Sequence, residues 1–284
     1  MTNLLSSKNI EKSPYIDSQK LSKGEFLRIE DKYLVEESLL PKILDELNQK
    51  MDPSYLDSDT QFTMIESLYF DSSNLDFFRH HFAKMPTRYK LRVRRYGPDG
   101  VWNNDSCLLE LKRKSGGKCK KVRFKISATD LDNLKQGLAL QDFQALYQIN
   151  TETQESEILE RFNLVNQLIL EYQLRPVRAI RYKRFAFEKN DFRATIDMKI
   201  HQIEYIKLDQ PFSDSIKAEE KTWTKVSNII KKYGAGDKFI LELKHKGVIP
   251  EWTSQMLEKN QIKQSSFSKY CYFTAIHLKR LSSL

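Results

Sequence analysis

The sequence predicts an α+β fold: an antiparallel β-barrel with helices packed outside it. Three observations lead there. Nine stretches alternate with a period of two, as strands do. Helical stretches are interleaved with them, with no linker between. The polar phase of the alternation is almost purely ionic, so each strand has one charged and one largely apolar face. Eight or nine strands are enough to close a sheet on itself.

The strands are expected at 25–34, 63–71, 87–97, 106–115, 118–127, 177–188, 191–199, 201–208 and 237–245. Helices are expected near 37–50, 73–82, 129–147, 155–174, 214–233, 251–260 and 267–282. Pro41 is tolerated only in a first turn, which starts the first helix at Leu39 or Leu40. Residues 1–23 are polar and aperiodic and read as a flexible leader. Residues 24–284 read as one domain, without internal repeats.

The 284 residues are 40% hydrophobic and 30% charged, an ordinary globular mixture, with a formal net charge of +9. That excess suits a polyanionic partner or a basic surface kept for solubility. Cys107, Cys119 and Cys271 form no CxxC or zinc pattern and fit a reducing compartment. No run approaches the ~20 apolar residues needed to span a bilayer. No apolar N-terminal run resembles a signal peptide. A soluble cytoplasmic protein is expected, of open oligomeric state. A P-loop is excluded for want of GxxxxGK[ST]. Gly234-Ala235-Gly236 precedes a strand and is no dinucleotide fingerprint.

The charged phases carry the argument further. Arg28, Glu30 and Lys32 share a face, as do Lys90, Arg92 and Arg94, then Glu110, Lys112 and Lys114, then Glu242 and Lys244. Ser115-Gly116-Gly117-Lys118 reads as a two-residue turn that sets Lys112 opposite Lys121 and Glu110 opposite Arg123. A second hairpin, turning near Lys189-Asn190, is expected to set Arg184 opposite Thr195 and Tyr182 opposite Asp197, with Arg193 on the same face. Two cations about 7 Å apart repel by about 2 kcal/mol at an effective dielectric near 20. On an open sheet that cost is screened; in an enclosed bore it accumulates until an anion neutralises it. Glu30, Glu110, Asp197 and Glu242 are too few to do so.

In order along the chain stand RIEDKY (28–33), SLYFD (67–71), KLRVRRYG (90–97), LELKRK (109–114), KKVRF (120–124), RYKRFAFE (181–188), FRATID (192–197) and LELKHKGVIPEW (241–252). Together they resemble the VTC domain, the catalytic domain of the vacuolar transporter chaperone polyphosphate polymerases. That family lies within the triphosphate tunnel metalloenzymes and also occurs as soluble bacterial proteins. The resemblance implies an antiparallel eight-stranded tunnel that binds ATP and inorganic polyphosphate, with a glutamate holding Mn²⁺ or Mg²⁺.

It also implies roles. Lys32, Arg92, Arg94, Lys112, Lys121, Tyr182, Arg184 and Arg193 match the family's tunnel residues, Glu242 its metal ligand, and Lys269 in FSKY (267–270) a lysine of the C-terminal helix. On this reading Arg92, Arg94, Lys112, Lys121 and Arg184 are catalytic. Lys32, Lys90, Arg123, Tyr182, Arg193, Lys244 and Lys269 bind phosphate. The superfamily's hydrolases begin with ExExK, whereas this chain has Arg28-x-Glu30-x-Lys32. Losing one metal carboxylate favours holding a phosphate chain over metal-assisted hydrolysis. The expected activity is therefore transfer of the terminal phosphoryl group of ATP to polyphosphate. A tunnel triphosphatase and a non-catalytic polyphosphate-binding module are the alternatives. A specific nucleic-acid partner is not expected, since Leu, Ile and Val, and few aromatics, interleave with the cations. The five histidines fall outside the assigned charged faces.

Overall fold

The computed structural model describes residues 29–54, 61–97, 107–116, 118–141, 155–203, 238–265 and 267–281. The strands are β1 (Ile29–Glu36), β2 (Asp52–Pro53), β3 (Thr63–Asp71), β4 (Thr87–Gly97), β5 (Cys107–Ser115), β6 (Lys118–Ile126), β7 (Arg175–Lys189), β8 (Phe192–Ile203) and β9 (Lys238–His245). The helices are α1 (Leu40–Lys50), α2 (Asp76–Phe82), α3 (Ala128–Lys135), α4 (Glu155–Glu171), α5 (Glu251–Lys259) and α6 (Lys269–Leu281). The expected leader and the helix at 214–233 lie outside the described residues.

One antiparallel sheet runs in the order β1-β9-β8-β7-β3-β4-β5-β6, with short β2 beside β7. The eight-stranded path curls until its two ends approach. Lys112 on β5 reaches Glu30 on β1 at 3.6 Å, although β5 and β1 stand far apart in the strand order. Backbone pairing between β1 and β6 is absent among the described residues. Ser265, just before α6, donates its N–H to the Lys32 carbonyl and so occupies the outer edge of β1.

The apolar phases bury as expected. The outer faces of β3–β6 pack Leu68, Phe70, Leu91, Val93, Leu109 and Leu111 against Phe77 of α2, Leu134 of α3 and Val165 and Ile169 of α4. The outer faces of β1, β8 and β9 pack Val35, Ile196, Leu241 and Leu243 against Ile43 and Leu47 of α1 and Met256 of α5. A third cluster lies on the inner face. There α6 lays Tyr270, Cys271 and Phe273 on Ile65, Tyr69, Ile180 and Tyr182. This helix packs inside the curl, not outside it as the sequence suggested, because these strand positions are bore-facing yet uncharged.

The first hairpin has the expected register: Lys112 faces Lys121 and Glu110 faces Arg123. Gly116 has φ 55, the left-handed geometry that a Gly-Gly turn supplies. The second hairpin is displaced from the expected one. Arg184 faces Asp197, not Thr195, and Thr195 faces Ala186. The turn residues are Asn190 and Asp191, because Asn190 itself takes φ 53. The same shift takes Tyr182 away from Asp197, and a bulge between Arg181 and Lys183 leaves Tyr182 out of the ladder with β8. The partner moves by two positions, so every side chain keeps its face.

Other boundaries differ for local reasons. The strands expected at 191–199 and 201–208 are one strand to Ile203, with 204–208 outside the described residues. The helix expected at 129–147 stops at Lys135. Gly137 follows with φ 69, where an added Cβ would meet the Leu174 carbonyl at 2.8 Å.

Asp71 ties the inner helix to the sheet. Its carboxylate accepts the N–H groups of Ser72 at 2.8 Å, Phe77 at 2.9 Å and Phe78 at 3.0 Å, and the hydroxyl of Tyr270. Asp71→Ala is expected to cost about 2 kcal/mol or more, since it orphans buried donors on both α2 and α6. Urea unfolding should show a lower midpoint with an unchanged slope.

Candidate functional site

The bore face can be read along the ladders. Lys32 stands beside Glu242, and Glu30 beside Lys244. Thr195 faces Glu242, and Arg193 faces Lys244. Arg92 faces Glu110, and Lys90 faces Lys112. Ser67 faces Arg94, and Tyr69 faces Arg92. Every candidate residue named from the sequence therefore lies on this face or, as Lys269, on α6 against it.

Each acid on the face holds several cations. Glu110, 2% exposed, accepts from Arg92 at 2.7 and 2.6 Å and from Arg123 at 2.9 and 2.7 Å, with Arg94 at 3.7 Å. Burial pushes its carboxyl up, but Arg92, Arg94 and Arg123 outweigh burial and hold it well below the carboxylate range. Asp197 takes a two-point contact from Arg184 at 2.6 and 2.8 Å, and Lys269 joins it at 2.5 Å. Burial would raise this carboxyl too, yet Arg184 and Lys269 bring it to about 2. Glu242 sits between Lys32 at 3.1 Å and Lys244 at 3.0 Å, and Lys32 also reaches Glu30 at 2.6 Å.

Neutral groups add further contacts to several of these cations. Arg92 donates to the Tyr69 hydroxyl at 3.1 Å, and Arg94 to the Tyr96 hydroxyl at 3.0 Å. Lys90 donates to Ser268 at 2.8 Å, and burial followed by its cationic neighbours Lys112 and Lys32 lowers its basicity. Tyr182 is 1% exposed, with the Lys269 ammonium 4.6 Å and the Arg184 guanidinium 5.5 Å from its ring centre. Arg193 lies 3.5 Å from Glu188.

Six polar atoms in this phase are buried with no hydrogen-bond partner among the described residues: Ser67 Oγ, Thr195 Oγ1 and the Nε atoms of Arg88, Arg94, Arg178 and Arg193. Buried donors are normally satisfied, so these point to an acceptor that the chain itself does not supply. Sequence reasoning missed Ser67, Thr195 and Tyr69, because a strand-by-strand search for charge passes over hydroxyls. The available signal was phase along their own strands: Thr195 stands two residues from both Arg193 and Asp197, and Ser67 two from Tyr69. It also missed an ion cluster on the outer face, where Glu66 accepts from Arg95 at 2.6 Å and Arg181 at 3.0 Å.

Among the described residues no group of three or more His, Cys, Asp or Glu side chains is placed to hold a metal ion. Glu30 and Glu242 do offer a mount, since one cation, Lys32 Nζ, already touches both carboxylates. Hard oxygen donors of this kind fit Mg²⁺ or Mn²⁺ when substrate oxygens and water complete the shell.

The VTC domain matches this sequence over residues 27–277. The chain belongs to the VTC domain family. Among curated proteins nothing matches. Solved structures similar to this VTC domain include a candidate adenylate cyclase of Bacillus halodurans, at 12% identity over 85% of this chain and 94% of that one, with a TM-score of 0.47. A Pyrococcus horikoshii protein matches at 10% identity over 87% and 99%, with a TM-score of 0.41. A candidate adenylate cyclase of Vibrio parahaemolyticus matches at 11% over 85% and 94%, with a TM-score of 0.41. At these values the likenesses carry no statement about function. No helix among the described residues is long and apolar enough to cross a membrane.

Two outcomes are expected of this VTC domain. Glu110→Gln leaves three arginines around a neutral amide and should cost about 3–5 kcal/mol in denaturant unfolding, with part restored by added tripolyphosphate. Asp197 is depressed from its ordinary 3.8 to about 2, so its contribution is full above pH 4 and lost as pH falls through 2. Asp197→Asn should flatten the acid limb of a stability–pH profile in that window.

Proposed function

We propose that this VTC domain is a polyphosphate polymerase, transferring the terminal phosphoryl group of ATP to a polyphosphate chain held in the bore. The observation that carries the reading is the state of the bore acids. Glu110 and Asp197 are consumed in ion pairs that fix Arg92, Arg123 and Arg184 in place. Neither carboxylate is left to activate water or to build a metal cage, which favours holding phosphate over hydrolysing it.

Phosphoryl transfer needs in-line positioning and neutralisation of charge on the moving group, and little covalent help. Arg92, Arg94 and Arg184 supply fixed guanidinium donors, while Lys112 and Lys121 supply mobile point charges. Lys32, Lys90, Arg123, Arg193, Lys244 and Lys269 hold the flanking phosphates. The hydroxyls of Ser67 and Thr195 and the Nε atoms of Arg94 and Arg193 find their acceptors in phosphate oxygens. Tyr182 keeps Arg184 and Lys269 over its ring and so positions them. The acceptor is an anionic phosphate, so no general base is required. Glu242, with Glu30, would hold Mn²⁺ or Mg²⁺, which when bound neutralises charge on the phosphate oxygens. Lys32 Nζ would then give up its place between the two carboxylates.

The experiment is to supply the purified protein with ATP and Mn²⁺ and to resolve the products by chain length. Polymer with equimolar ADP is expected, and Arg92→Ala or Lys112→Ala should lower the rate at least 100-fold, about 2.7 kcal/mol of transition-state stabilisation. Release of orthophosphate from triphosphates with no polymer would assign the protein as a triphosphatase. Tight polyphosphate binding with neither reaction would make it a binding module.

A further inference from the structure

We propose that the tip of the β5–β6 hairpin is a second polyphosphate-binding site, gripping the chain where it leaves the bore. This rests on the reading of the bore as a phosphate channel and adds to it a place and a length dependence.

The residues 111–126 contain eight lysines and arginines and no acid. The register distributes them over both faces. Lys112 pairs with Lys121, Arg113 with Lys120, and Lys114 with Cys119. Arg113, Lys114, Lys120 and Lys121 are all exposed. Lys112 still belongs to the bore, because it reaches Glu30 at 3.6 Å. Lys114 lies two residues further along the same face, beside Arg88 of β4. Beyond Lys112 no further bore acid meets this face, and no ion pair joins Arg88, Arg113, Lys114 or Lys120 to an acid among the described residues. Inside the bore Glu110, Asp197 and Glu242 each balance several cations; at the tip no acid among the described residues pairs with Arg113, Lys114 or Lys120. Repeated like charge across a ladder is unfavourable and persists where it has a use.

The field at the tip reaches its neighbours. His81, at the end of α2, is pushed down to about 4 by burial and then by Lys90, Arg88 and Lys114. A hairpin with cations on both faces suits a flexible, unbranched polyanion that can wrap it. It does not suit a compact triphosphate, which the bore alone accommodates. Exposed Lys and Arg without apolar anchors favour inorganic polyphosphate over an acidic membrane surface.

The test compares wild type with the triple variant Arg113→Ser, Lys114→Ser, Lys120→Ser by titration with tripolyphosphate and, separately, long-chain polyphosphate. All three positions are exposed, so unfolding should be unchanged. Affinity for long-chain polyphosphate is expected to fall about tenfold, with the log K against log salt slope shallower by about 2. Affinity for tripolyphosphate should stay within twofold. An unchanged long-chain affinity, or an equal loss for both ligands, overturns the inference and leaves the bore reading standing. Failure of wild type to bind tripolyphosphate overturns the bore reading and this inference with it. Loss of binding to phosphatidylserine vesicles with long-chain affinity unchanged would assign the tip to a lipid surface and overturn it too.

Discussion

The structure depends on confining cations with fewer acids than neutrality requires. A strand face of Lys and Arg is inexpensive in water and costly when curled inward. Three buried carboxylates make the curl possible. Glu110 gathers Arg92, Arg94 and Arg123, Asp197 gathers Arg184 and Lys269, and Glu242 gathers Lys32 and Lys244. These acids fix the geometry of the cations and leave a positive excess. That excess fits the bore to a ligand carrying dense negative charge.

The surrounding architecture serves that constraint. Helices α1–α5 cover the apolar backs of the strands and allow the sheet to curl with its charges inward. Helix α6 takes the opposite side, delivering Lys269 to Asp197 and placing Ser268 beneath Lys90. Asp71 anchors it through Tyr270, so the residues that meet the bore from the C-terminal end are held by the same strand that carries Ser67 and Tyr69. The fold and the site are therefore coupled through β3.

Much of this was legible in the sequence. The period-two alternation located every strand that carries the bore, its ionic phase marked the charged ones, and the Gly-Gly turn set the β5–β6 register without ambiguity. The second hairpin was not legible to the residue. Asn190 can enter the left-handed region much as glycine does, so either Lys189-Asn190 or Asn190-Asp191 could form the turn. The bulge at Tyr182 leaves no local mark in a run as regular as RYKRFAFE. The inner seat of α6 was hidden because Ile65 and Ile180 look like ordinary core residues until the register places them in line with Tyr182 and Arg184. Arg95 and Arg181 read as breaks in the apolar phase, and only the fold shows that Glu66 pairs with both.

On the proposed function, phosphate binds inside the curl, among residues from many strands. The most direct test is an experimental structure of the protein with tripolyphosphate diffused in. Density is expected for a phosphate chain between Arg92, Lys112, Lys121 and Arg184, with its oxygens accepting from Ser67 Oγ, Thr195 Oγ1 and Arg94 Nε. Density confined to outer basic surfaces, with those three atoms bonded to water in an unchanged bore, would contradict it.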